Sequence, residues 1–319
     1  MNRAFATTAA FVLAGGAAWA EPPRVLATVG MIADVAAEVA GPCVAVEALM
    51  GPGIDPHLYQ PTAGDVGRMQ RAEAIFYVGL GLEGQLGTVL GRLADSRSTL
   101  SVGEAIAETA DLLETDGGYG VDPHLWMDVQ LWTSAIPAIR TQLAQLAPGC
   151  DGLDERADAY AAQLAALHGW VGESIASIPE EARALVTAHD AFGYYARAYG
   201  ITEIALQGLT TEAEASIADI RETADEVARR GVPAVFVEST INPRSIEALR
   251  GALRDRGHNV ALGGELYSDA MGEAGTAEGT YIGMIRANTL AITTALGGTP
   301  AAWPDALAGW SAQWGLGNP

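Results

Sequence analysis

The chain has 319 residues, with 39 acidic side chains against 18 basic ones, every one of them Arg, for a net charge of −21. Such a surface repels nucleic acid and anionic lipid, which sets aside functions built on phosphate contacts. The length is enough to bury two cores of ordinary size.

Met1-Asn2-Arg3 opens the chain, followed by an apolar run over 4–19 that ends in Ala18-Trp19-Ala20. A basic start, a short apolar stretch and small-x-small residues predict a cleavable signal peptide over 1–20. The run is too short and too glycine-interrupted to span a bilayer. Glu21, not Cys, stands immediately after the expected cleavage point, so the mature protein is expected free in a periplasm-like space, without a lipid anchor.

Beyond it, β-branched runs alternate with helical patterns. Strands are predicted over 25–29, 44–49, 74–78 and 99–102, and helices over 32–40, 63–71, 82–94 and 130–146. The order β-α-β-α implies a mostly parallel sheet covered on both faces. Apolar residues then recur every three or four positions from Leu153 through Ala157, Tyr160, Leu164, Leu167, Val171 and Ile175 to Ile178. That pattern predicts one long amphipathic helix, with Asp151 or Asp154 as its cap and Pro179 at its end. A single helix of this kind resists bending, so lobe rotations are expected to be small.

The second half repeats the scheme, with strands predicted over 184–187, 203–205, 234–237 and 259–262 and helices over 191–199, 216–230, 245–256 and 279–296. The fold class is therefore α/β, with an N-terminal lobe over 21–147, a linker helix over 148–179 and a C-terminal lobe over 180–319. Trp303, Leu307, Trp310 and Trp314 follow at helical spacing and are expected to pack onto a lobe. Cys43 and Cys150 share no metal-ligand spacing; an oxidising compartment permits a disulfide between them.

The chain has five His, and two of them occur in the same tetrapeptide, Asp55-Pro56-His57-Leu58 and Asp122-Pro123-His124-Leu125. Proline fixes φ beside each His, and an Asp two residues earlier is suited to orient an imidazole. His189 follows a predicted strand in Thr187-Ala188-His189-Asp190, and Asp269 follows another in Leu266-Tyr267-Ser268-Asp269. Ligands of open α/β folds bind beyond the carboxyl ends of strands. Together His57, His124, His189 and Asp269 make a three-imidazole, one-carboxylate set suited to Zn²⁺, Mn²⁺ or Fe²⁺ rather than Cu⁺ or Mg²⁺. Glu238 at a strand end, Asp128 and Asp190 are possible supporting carboxylates, with Glu238 left outside the ligand set. His168 and His258 read as surface residues.

These segments, with the run from Asp269-Ala270-Met271-Gly272 to Tyr281-Ile282-Gly283-Met284, resemble the cluster A-I metal-binding proteins of ABC transporters, in particular the TroA-like branch. The resemblance covers essentially the whole mature chain. It implies two (β/α)4-type lobes joined by a rigid backbone helix, with metal ligands at His57, His124, His189 and Asp269. It also implies delivery of Zn²⁺ or Mn²⁺ cargo to a membrane permease, by a protein expected to act as a monomer. Manganese and iron binders of the family commonly carry Glu where His189 stands, and many zinc members carry a His-rich loop where 109–121 has none. Zinc and manganese both stay open on that comparison. A secreted zinc hydrolase is the alternative, but a catalytic zinc keeps an open position and no His-Glu-x-x-His motif is present.

Overall fold

The computed structural model describes residues 21–94, 96–115 and 120–317. The expected signal peptide lies outside them.

The N-terminal half is built on β1 (Arg24–Ala27), β2 (Ala45–Ala48), β3 (Ala74–Tyr77) and β4 (Ser98–Ser101), all parallel in the order β2-β1-β3-β4. Helices α1 (Gly30–Ala40), α2 (Ala63–Arg71) and α3 (Gly84–Ala94) connect the strands. Helix α2 starts where predicted because Thr62 and Asp65 form a reciprocal capping box. Val102 begins a short helix, α4 (Val102–Ala107), where the sequence pattern extends the strand. A small antiparallel pair, β5 (Glu114–Thr115) and β6 (Gly120–Val121), precedes the second Asp-Pro-His and is not anticipated.

The helix expected over 130–146 is two helices, α5 (Val129–Thr133) and α6 (Ala135–Leu146), broken at Ser134. Pro137 explains the break: it has no N–H to give to the Thr133 carbonyl, so the helix restarts with the proline in its first turn.

Helix α7 (Leu153–Ala176) follows, 24 residues and about 36 Å long. The predicted apolar positions from Leu153 to Ile175 are its buried face, joined by Trp170 and Ser174, while Ile178, placed on the helix by the pattern, is buried just past its end. Its cap differs from expectation: the N-cap is Gly152 at φ 73°, with no side-chain cap, and Asp154 instead pairs with Arg140 at 2.6 Å. One face of α7 packs on α1, α5 and α6, and another on α11 (Tyr281–Ala295) in the C-terminal half. Both halves therefore bury side chains against the same rod. Cys43 and Cys150 form a disulfide, tying the turn after α1 to the turn before α7.

In the C-terminal half β7 (Ala184–His189) pairs with β8 (Thr202–Gln207), and β9 (Ala234–Glu238) pairs with β10 (Ala261–Leu266), both parallel, with β7 beside β9. Helices α8 (Gly193–Tyr199), α9 (Ile217–Arg230) and α10 (Arg244–Asp255) flank these strands. Strand β7 is buried at every position, which its unbroken apolar run anticipates. Trp303, Leu307 and Trp310 are buried against the linker helix, Trp303 edge-on to Trp170 with ring centroids 4.8 Å apart, and α12 (Ala308–Gln313) ends the described tail.

Candidate metal centre

The four predicted residues converge between the halves, buried, with a donor atom of each within 4.8 Å of the others. His57 lies in the loop after β2 and His124 in the turn after β6. His189 is the last residue of β7, and Asp269 stands three positions past the end of β10. Asn288 of α11 holds the residue before that turn, accepting from Tyr267 N at 2.8 Å and donating to Tyr267 O at 2.7 Å.

Four donors about 2.0–2.1 Å from one tetrahedral Zn²⁺ stand roughly 3.3 Å from each other. Here His57 Nε2 is 3.3 Å from His124 Nε2, and Asp269 Oδ1 is 3.4 Å from His124 Nε2. Asp269 Oδ2 is 3.2 Å from His189 Nε2 and 3.7 Å from His57 Nε2. With Asp269 Oδ2 as its one donor, three edges of the set measure 3.2, 3.3 and 3.7 Å, near tetrahedral spacing, and all four donors lie within 4.8 Å of one another.

Two of the imidazoles are backed by carboxylates. Asp122 Oδ1 lies 2.7 Å from His124 Nδ1, and Glu238 Oε2 lies 2.6 Å from His189 Nδ1. A proton held at Nδ1 leaves Nε2 with its lone pair facing the centre, the arrangement a metal requires. Glu238 also accepts from the backbone N–H of Ala188 at 2.7 Å and His189 at 3.0 Å through Oε1. It therefore stands against the His189 ring and satisfies the last two amides of β7 at once. His57 is different: its Nδ1 is buried without a protein partner, and the preceding Asp55 accepts from the His57 backbone N–H at 2.8 Å instead.

Titration follows the same division. Burial pushes His57 down to about 4, with Asp269 opposing and the charges of His124 and His189 assisting. Burial also disfavours charge on His124, but Asp122 and Asp269 outweigh it and raise that imidazole to about 9. Glu238 and Asp269 likewise overcome burial and hold His189 well above its ordinary value. Burial would raise Asp269, yet His189 and His124 keep it well below the usual carboxylate range. In the metal-free state the centre thus holds protons on two imidazoles, and a cation must displace them.

The other singled-out residues stand apart from the donors. Asp128 caps α5, accepting from Gln130 N and Leu131 N. Asp190 shares a hydrogen bond with Glu203, and burial raises both of these carboxyls. His168 and His258 are half-buried rather than free on the surface: His168 Nδ1 is 3.2 Å from the Tyr199 hydroxyl, and His258 Nε2 is 2.9 Å from Val232 O.

The family described as "ZnuA: Zinc-uptake complex component A periplasmic" matches residues 25–295. The chain belongs to the ZnuA family. Membership places it among the metal-binding solute-binding proteins of ABC transporters. It is 46% identical over 275 residues to the zinc-binding protein TroA of Treponema pallidum, covering 86% of this chain and 89% of that relative. It is 42% identical over 274 residues to the manganese-binding lipoprotein MntA of Bacillus subtilis, with the same coverage of 86% and 89%. The solved structure of the periplasmic zinc-binding protein TroA from Treponema pallidum superposes with a TM-score of 0.83, covering 86% of this ZnuA-family chain and 99% of that one.

Proposed function

We propose that His57, His124, His189 and Asp269 together bind one Zn²⁺ or Mn²⁺ as cargo in the cleft between an N-terminal lobe (21–147) and a C-terminal lobe (180–319). The observation that carries this is the convergence of three buried imidazole nitrogens and one carboxylate within 4.8 Å of one another, two of the rings with carboxylates at their far nitrogens. His189 in place of a carboxylate favours zinc, and Zn²⁺ stands above Mn²⁺ in the divalent stability order. The named relatives include one zinc binder and one manganese binder, so both metals belong to the proposal. Binding rather than catalysis is favoured because four protein donors fill the shell that a catalytic zinc leaves open.

The cargo passes to a membrane permease, and the protein works as a monomer in the periplasm. Relatives include lipoproteins; Glu21 rather than Cys next to Ala20 supports a form without that anchor. The test is native mass spectrometry of metal-stripped protein titrated with Zn²⁺ and, separately, Mn²⁺. One ion per chain is expected, lost in His124→Ala, whose affinity should fall by more than the roughly 100-fold that loss of an orienting partner costs. Unchanged stoichiometry and affinity in that variant would remove His124 from the set.

A further inference from the structure

Resting on the proposed metal site, the geometry points to Thr211 as an interlobe latch on His57, and to His57 as the ligand that leaves first when the cleft opens. Thr211 Oγ1 donates to Asp55 Oδ2 at 2.5 Å, while Asp55 Oδ1 accepts from His57 N at 2.8 Å. One carboxylate, 156 residues away in sequence from that hydroxyl, thus connects a loop of the C-terminal half to the backbone of a proposed ligand. Between residues 207 and 219 Thr211 is the one buried residue, in an otherwise exposed or half-buried loop. Burying a hydroxyl there costs free energy unless a bond such as this one offsets it.

The His124 side is held otherwise. Tyr194 donates its hydroxyl proton to Asp122 O, Trp126 Nε1 donates to Ser268 O, and the Tyr281 hydroxyl donates to Trp126 O, three bonds across the cleft. The His124 ring is also fixed at Nδ1 by Asp122. Among the described residues, the loop carrying His57 has the Thr211 bond as its side-chain hydrogen bond to the opposite half, apart from the donor cluster itself. Its ring lacks a partner at Nδ1. Ile54 and Leu58, on either side, are 40% and 52% exposed, so little packing holds the loop from outside. The Asp55–Thr211 pair also lines a cavity of about 350 Å³ between the two halves.

Thr211 is a positioning residue, and its signature is kinetic. In protein loaded with Zn²⁺, release into excess chelator should be about tenfold faster or more in Thr211→Val, the effect of losing a hydrogen bond to a charged acceptor. Thr211→Ser should restore the wild-type rate. The d–d absorption of the Co²⁺-loaded valine variant should match wild type, since all four donors remain at equilibrium. Tyr194→Phe removes a comparable bond on the His124 side and should change release by less than about threefold. Equal release rates in Thr211→Val and wild type would overturn the latch. A larger acceleration in Tyr194→Phe than in Thr211→Val would overturn the order of ligand loss. If wild-type protein takes up no metal, the binding proposal falls, and the latch with it.

Discussion

Asp55-Pro56-His57-Leu58 and Asp122-Pro123-His124-Leu125 are identical tetrapeptides, yet Leu58 is 52% exposed and Leu125 is fully buried. In both, the Asp carboxylate accepts the His backbone N–H two residues on, at 2.8 and 2.9 Å, the local turn expected of Asp before Pro-x. The similarity ends with the backbone. Asp122 also holds the ring of its own His, whereas Asp55 spends its second oxygen on Thr211 of the other half. A short motif therefore dictates its own turn, and the surrounding chain decides what its free oxygen and imidazole meet. In the proposed site, one copy would make a fixed ligand and the other a ligand coupled to the opposite half.

The largest effect that separates the copies concerns the two aspartates. Asp122→Asn removes the carboxylate that fixes the His124 ring, and metal affinity should drop about 10- to 100-fold. Asp55→Asn keeps an acceptor for His57 N and leaves the ring's surroundings alone, so its equilibrium loss should stay below about tenfold. Isothermal titration of both variants decides the matter, and equal losses would break the comparison.

Much of this was legible before the structure. The strand-helix alternation and the stripe on α7 follow from periodicity, and the four donors from a repeated motif plus two residues beyond strand ends. The break at Ser134 was readable in Pro137. Other features were not. Glu238 reads from the sequence as a possible supporting carboxylate, but its partner does not: it meets His189 because β9 lies beside β7, and strand order across a sheet leaves no mark on local sequence. Thr211 sits in a loop of ordinary polar composition, and only the closure of two halves brings it to Asp55.

A smaller distinction is in protons. His57 near 4 is neutral at physiological pH, while His124, raised to about 9, and His189, held well above its ordinary value by Glu238 and Asp269, favour the protonated form there. Groups with raised values hold protons below them, and metal must displace those protons. Affinity should therefore fall as pH falls through 9, by about 10- to 100-fold per pH unit. Free imidazole would place the loss only below about 6.5, so the orienting carboxylates move it upward. Competitive titration between pH 6 and 9 measures the slope. A flat profile above pH 7 would show that the carboxylate-backed rings do not carry the protons.

The most direct test of the whole account is X-ray absorption at the zinc edge of protein loaded with one equivalent of Zn²⁺. The arrangement predicts three imidazole nitrogens and one carboxylate oxygen at about 2.0–2.1 Å, with two imidazoles remaining in His57→Ala. A shell containing sulfur, or three imidazoles persisting in that variant, would contradict it.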